Sequence, residues 1–163
     1  MGVDRERCIG LGGQLDSARF ATLLNRTGDP RSAWVLGEHG EHQVPIFSKT
    51  DTRIDNDERD MILSRLQGAS MEVIRGKGGT VFGPAYNITM LIRAILEDRR
   101  DMLPCSCVLD GEYGLSQCSL GVPARIGREG ILEIEEWNLD SWEEEKMAEA
   151  GAFVQGLCRR FDD

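Results

Sequence analysis

Three apolar stretches, at about 103–109, 118–126 and 131–137, are separated only by short glycine turns near Gly111, Gly114 and Gly130. A crossover between parallel strands needs about a dozen residues or more, so connections this short predict antiparallel neighbours. Such a sheet has to be covered, and the rest of the chain supplies helices. From Asp55 an acidic opening is followed by Ile62, Leu66, Ala69 and Val73 on one stripe, ending at the run Gly76 to Gly79. Pro84 suits a first helical position; Ile88, Leu91, Ile92 and Ile95 then face the core until the charges from Glu97 to Asp101 close the helix. Ser141 with Glu144 reads as a capping box for a last helix built on Met147, Ala150, Val154, Leu157 and Phe161, with Arg159 and Arg160 at its end. An earlier helix is expected over 15–27, with Asp16 in its first turn and Gly28 as its C-terminal cap. Trp34 to Leu36 and Val44 to Ser48 read as two short strands joined by a loop. The order is helix, strands, two helices, strands, helix, without a repeat or linker. It predicts one α+β domain over residues 1–163, helices packed on a mainly antiparallel sheet.

Composition narrows the function classes. With 19 basic and 28 acidic residues the chain carries a net charge of −9, which argues against phosphate-backbone binding but leaves small anions open, since a local arginine outweighs a distant field. No nucleic-acid partner is expected. Five cysteines, Cys8, Cys105, Cys107, Cys118 and Cys158, form an odd set without a Cys-x-x-Cys pair or a secretory leader, which reads as reduced thiols in a cytoplasm. Cys105 and Cys107 alternate along a strand and share one face, where small buried apolar side chains are the better reading than a metal pair. In that compartment the sequons at Asn25 and Asn87 carry no meaning. Glu6 stands where myristoylation wants Ser or Thr, and the longest uncharged run, Gly78 to Ile92, is too short and glycine-rich to span a bilayer. A soluble protein without a membrane partner is expected.

Two short stretches hold the chemistry. Asp16 and Arg19 lie three apart on a helix and project from the same face. Such a pair is commonly a surface salt bridge worth under ~1 kcal/mol. His39, in the loop Gly37 to His42 (GEHGEH), would alone be an ordinary loop histidine. Glycines at 37 and 40, however, let the backbone bring the imidazole close to a ligand, and histidine titrates near neutral pH. Glu38, His39, Glu41 and His42 could in principle ligate a metal, but His-x-x-His across a glycine loop lacks a third ligand at a recognisable spacing, so no metal site is expected.

The runs IGLGGQLDSARFATLL (Ile9 to Leu24), LGEHGEHQVPIFSK (Leu36 to Lys49), GKGGTVFGPA (Gly76 to Ala85) and LGVPARIG (Leu120 to Gly127) together resemble the C-terminal half of the lactate and malate dehydrogenases, most closely the archaeal malate dehydrogenases of the lactate-dehydrogenase-like type. The match is ordered and spans nearly the whole chain. The resemblance implies that His39 is the catalytic acid/base, Asp16 the carboxylate that hydrogen-bonds it, and Arg19 the arginine gripping the substrate carboxylate. It makes Thr80 the pocket wall beside the substrate and Pro84 the position near the nicotinamide. The family loop usually reads GEHGD; Glu41 departs from it by one methylene.

The residue types suit those roles. Oxidising a 2-hydroxy acid removes the hydroxyl proton as hydride leaves carbon, which a neutral imidazole oriented by a carboxylate can accept. A guanidinium fork fixes a carboxylate bidentately, where lysine offers a point charge. The only G-x-G-like stretch, Gly10 to Gly13, follows no full strand or βαβ unit and is not a dinucleotide fingerprint. By the resemblance, NAD or NADP is bound mainly by an N-terminal Rossmann domain, which also brings a mobile loop with a second substrate arginine and a site asparagine; this chain is expected to begin after them. The expectation is therefore the catalytic, substrate-binding domain of an NAD(P)-dependent 2-hydroxy-acid dehydrogenase, nearly inactive alone and self-associating. Malate dehydrogenase, converting malate to oxaloacetate, is the leading reading and lactate dehydrogenase the alternative, because the discriminating loop belongs to the nucleotide-binding half. The alternative of a different class is a non-enzymatic oligomerisation or scaffold domain with the family's shape.

Overall fold

The computed structural model describes residues 2–25, 33–51 and 54–161. Four helices, α1 (Gly12–Leu23), α2 (Asn56–Lys77), α3 (Phe82–Leu96) and α4 (Ser141–Cys158), pack with six strands, β1 (Ile9–Gly10), β2 (Val35–Gly37), β3 (Gln43–Pro45), β4 (Asp101–Asp110), β5 (Ser116–Gly127) and β6 (Gly130–Ile134). The strands form one sheet in the order β1-β4-β5-β2-β3, with β6 also on β5, and every ladder is antiparallel. The α+β reading is thus what the chain adopts.

The sheet's register aligns one apolar face. Cys105 opposes Val122 and Cys107 opposes Leu120. These side chains, with Leu103, Leu109, Ala124 and Ile126, meet Leu91 and Ala94 of α3 and Met147 and Ala150 of α4 in one core. The cysteines of β4 are therefore buried filler, as their alternation suggested. Burial pushes the Cys105 thiol up to about 12 and raises Cys107 as well, so neither supplies a thiolate. A second core gathers Phe20, Val35, Phe47, Ile54, Ile62, Leu66 and Trp142. Phe47 is its centre, edge-on to Phe20 at 5.2 Å and to Trp142 at 5.6 Å.

Several boundaries depart from the sequence reading. Helix α1 opens at Gly12, three residues before the expected start, and ends at Leu23; the expected cap, Gly28, lies outside the described residues. Helix α2 runs as expected to a left-handed Gly78, but only Ile62 and Leu66 of its stripe are fully buried. Helix α3 opens at Phe82 rather than Pro84, and Ile88 and Ile92 face outward, 42% and 48% exposed, while Asn87, Leu91 and Ala94 face in. Apolar residues surround most of α3 and the polar Asn87 faces inward, so periodicity has no means to choose the inner stripe. Asp101, expected to close that helix, instead begins β4. Left-handed Asp98 and Arg100 turn the chain there without a glycine to signal it. Strand β6 stops at Ile134, and Trp137 leaves the sheet to meet Trp34 edge-on at 4.7 Å. The cap of α4 is shifted by one residue: Asp140 and Glu143, not Ser141 and Glu144, form the capping box. Leu157 lies at the surface, and the side chain of Phe161 is outside the described residues.

Candidate active site

The β2–β3 hairpin holds the GEHGEH loop at the sheet's end. Gly37 closes β2 with φ of 82°, where a side chain would strike the His42 carbonyl oxygen at 2.6 Å, so this corner requires glycine. The Glu38 N–H donates to the His42 carbonyl at 3.0 Å, and the Glu38 carboxylate accepts from the His42 N–H at 3.1 Å. From α2, Gln67 Nε2 donates to the Glu41 carbonyl at 2.6 Å. The loop is thus braced within itself and from a helix, and only its tip is free to meet a ligand.

Helix α1 lies beneath it, held to the hairpin by Ser17, whose hydroxyl accepts from the Val35 N–H at 2.9 Å. Asp16 is 1% exposed, and its carboxylate is shared. One oxygen meets His39 Nδ1 at 2.6 Å and the other accepts from Arg19 NH1 at 3.2 Å. An ionised carboxylate can only accept, so His39 carries its proton on Nδ1 and leaves Nε2 with a lone pair. The His39 side chain is 46% exposed, so that nitrogen stands at the edge of solvent. The hydrogen bond to Asp16 raises the His39 pKa, aided by the charges of Asp16 and Glu38 and opposed by burial and by Arg19.

The His39, Asp16 and Arg19 expected from sequence therefore come together, 23 residues separating the first two in the chain. Thr80 and Pro84 flank the start of α3, both part-buried. Gly83 between them approaches α1 so closely that a Cβ there would lie 2.8 Å from Leu15 Cδ1, beside Asp16. A cleft of about 590 Å³ opens next to His39, lined by His42, Gln43, Gln67, Ser70 and Met71. A larger cleft, about 1140 Å³, lies around the start of α2 among Asp51, Asp55, Asp57 and Glu58. Its negative field is the wrong sign for a carboxylate ligand. Glu38 stood out in sequence only as a member of the GEHGEH run and Gln67 not at all, since bracing depends on loop closure rather than periodicity.

The histidines of the loop serve different partners: His42 stacks on Phe153 at 4.2 Å, away from the Asp16 pair. Among the described residues no group of three or more His, Cys, Asp or Glu converges as metal ligands would. A dinucleotide fits this chain only partly. Gly10 and Gly13 are packed against the Ser106 side chain and the Pro104 carbonyl, and Gly12 against His39, so no phosphate can settle on that glycine run.

Residues 13–155 match the lactate/malate dehydrogenase, alpha/beta C-terminal domain. The malate dehydrogenase of Natronomonas pharaonis is 46% identical over 156 residues, 90% of this chain and 51% of that protein. That of Chlorobium limicola is 33% identical over 96% of this chain and 55% of its own length. Among solved structures, the malate dehydrogenase from Aeropyrum pernix superposes with a TM-score of 0.85 at 31% identity, covering 98% of this chain and 57% of that one. The malate dehydrogenase from Archaeoglobus fulgidus, solved in complex with NADH, gives 0.82 at 32% identity, over 95% and 53%. The chain spans about half the length of the curated relatives it matches.

Proposed function

The chain belongs to the lactate/malate dehydrogenase family, and from that premise we propose that it is the substrate-side half of an NAD(P)-dependent malate dehydrogenase, interconverting malate and oxaloacetate. The observation that carries this reading is the buried Asp16 carboxylate bridging His39 and Arg19. In malate oxidation His39 Nε2 accepts the hydroxyl proton, and Asp16 steadies the imidazolium that results. Arg19 keeps its remaining guanidinium donors for the substrate carboxylate, which fixes one face of the carbon for transfer. Thr80 and Pro84 close the wall along α3. A nicotinamide cofactor, when bound, takes up the hydride, and a nucleotide-binding half outside this chain holds most of it. NAD is the preferred form, supported by a relative solved with NADH.

Malate is favoured over lactate because the similar proteins bear that name. The reduced thiols support a cytoplasmic setting. No helix among the described residues is long and apolar enough to cross a membrane. The test is an assay of the full-length gene product with oxaloacetate and with pyruvate, each with NADH and NADPH, beside a His39→Asn variant. Faster turnover of oxaloacetate, lost in the variant, is expected; equal rates in the two proteins would remove His39 from the chemistry.

A further inference from the structure

Gly12, Asp16 and Arg19 follow one another at i, i+4 and i+7, so all three line the same face of α1. The last two hold charge, and the first holds nothing. A Cβ at Gly12 would overlap His39 Cγ and lie 2.6 Å from Cδ2 and 2.7 Å from Cβ. Carbon atoms in contact prefer about 3.5–4.0 Å, so the two side chains cannot coexist as placed. The backbone makes no such demand. Gly12 is absent from the positive-φ residues, and a helical position ordinarily favours alanine over glycine.

The His39 side chain is 46% exposed, but moving the ring outward would break its bond to Asp16. Its Nδ1 is fixed 2.6 Å from Asp16, and the loop behind it is closed by the Glu38–His42 hydrogen bonds at 3.0 and 3.1 Å and by Gln67 on the Glu41 carbonyl at 2.6 Å. The atoms that would clash are Cβ and the base of the ring, not the end of a flexible chain, so rotation cannot relieve the overlap. We propose that Gly12 is a positioning residue for His39, its empty Cβ place forming the floor on which the imidazole lies while Asp16, one turn along, orients it. The glycine run Gly10 to Gly13 then has a purpose unrelated to phosphate. The catalytic consequence rests on the acid/base reading of His39; the steric one does not.

The test compares Gly12→Ala with Gly68→Ala, a helical glycine whose added Cβ would meet nothing within 4 Å. Only two histidines are present, so the His39 ring titration can be followed by NMR in this chain. Gly12→Ala is expected to lower the His39 midpoint towards the ordinary histidine value, because the Asp16 bond is lost, while Gly68→Ala leaves it unchanged. It is also expected to lower the unfolding midpoint, and that loss is expected to vanish in a His39→Gly background, where no ring remains to be displaced. An unchanged titration, or the same unfolding loss with and without the ring, overturns the proposal. In the full-length protein kcat is expected to fall at least tenfold with a smaller change in KM. A displaced titration with kcat unaltered would keep the steric role and overturn the catalytic one, together with the assignment of His39 as acid/base.

Discussion

The buried Asp16 carboxylate serves the Arg19 guanidinium and the imidazole at once, and its hydrogen bond favours the protonated ring of His39. Its folded pKa is raised, chiefly by the Asp16 hydrogen bond. A raised pKa means the folded state binds the proton more tightly than the unfolded one. The resulting stabilisation is fully present below the ordinary histidine value of about 6.5 and is lost as pH rises through the folded value. Urea unfolding across that window is expected to show stability declining with pH in the native chain and a flatter profile in His39→Gln. Keto-acid reduction, which needs imidazolium, is expected to fade over the same range while hydroxy-acid oxidation rises. Asp16→Asn keeps the shape but can hold the ring in the wrong tautomer, so kcat is expected to drop on the order of 10⁴-fold, as for the serine-protease aspartate that is the standard comparison. Arg19→Lys replaces a fork with a point charge; losing one charge-assisted hydrogen bond at about 1.5–3 kcal/mol predicts dicarboxylate binding weaker by ~10–100-fold in calorimetric titration. Unchanged affinity would take Arg19 out of the site. At this scale spacing alone read as a surface salt bridge and a loop histidine; it was the resemblance to the dehydrogenases that paired His39 with Asp16, across 23 residues that no local pattern spans. Gly12 was not legible, since a missing atom declares its use only once the ring it admits is in place.

Helices and strands are fixed by contacts that local pattern renders unevenly. The antiparallel sheet was readable because short connections exclude crossovers, and α2 because an acidic N-terminus and left-handed Gly78 bracket it. The two-residue β1 has no periodicity to display and exists through its ladder to Cys107 and Ser106. The cap of α4 lies one residue earlier than the sequence reading, as Asp140 and Ser141 are both capping residues and the run Glu143 to Glu145 offers each of them a partner. Structure separates them. Glu143 is fully buried, accepts from the Ser48 N–H and hydroxyl at 2.8 Å each and from the Asp140 N–H at 3.0 Å, and so ties α4 to the segment leaving β3. Its neighbour Glu144 is exposed. Glu143→Ala removes three hydrogen bonds from donors on the exposed Ser48 and the part-buried Asp140, and at a net of about 0.5–1.5 kcal/mol each it is expected to lower stability by roughly 2–3 kcal/mol. Glu144→Ala is expected to stay within ~0.5 kcal/mol. Denaturant midpoints for the pair check both; equal losses would restore the register read from sequence.

The whole molecule presents an apolar surface that its own fold leaves open. Val81, Phe82, Tyr86, Ile92 and Leu96 are 62%, 79%, 61%, 48% and 69% exposed along α3, and Met71 and Ile74 of α2 add 48% and 41%. No charge interrupts the stretch from Gly78 to Ile92. Apolar exposure of this extent along one helix marks a contact surface rather than a solvated one. On the proposed reading two occupants would fit this surface, a nucleotide-binding half and a second copy of the same face. A net charge of −9 opposes random clumping, but it is screened within about 8 Å at physiological ionic strength, while apolar burial gains about 25 cal/mol per Å² irrespective of salt. The isolated chain is therefore expected to form a homodimer or larger species that persists, or tightens, as salt is raised. Phe82→Glu combined with Ile92→Glu would place charge on that face without touching the buried Leu91 and Ala94. Sedimentation is expected to show the native chain associated at tens of micromolar and the double variant dissociated. An 18 kDa monomer from the native chain would mean that α3 needs the nucleotide-binding half to build its contacts.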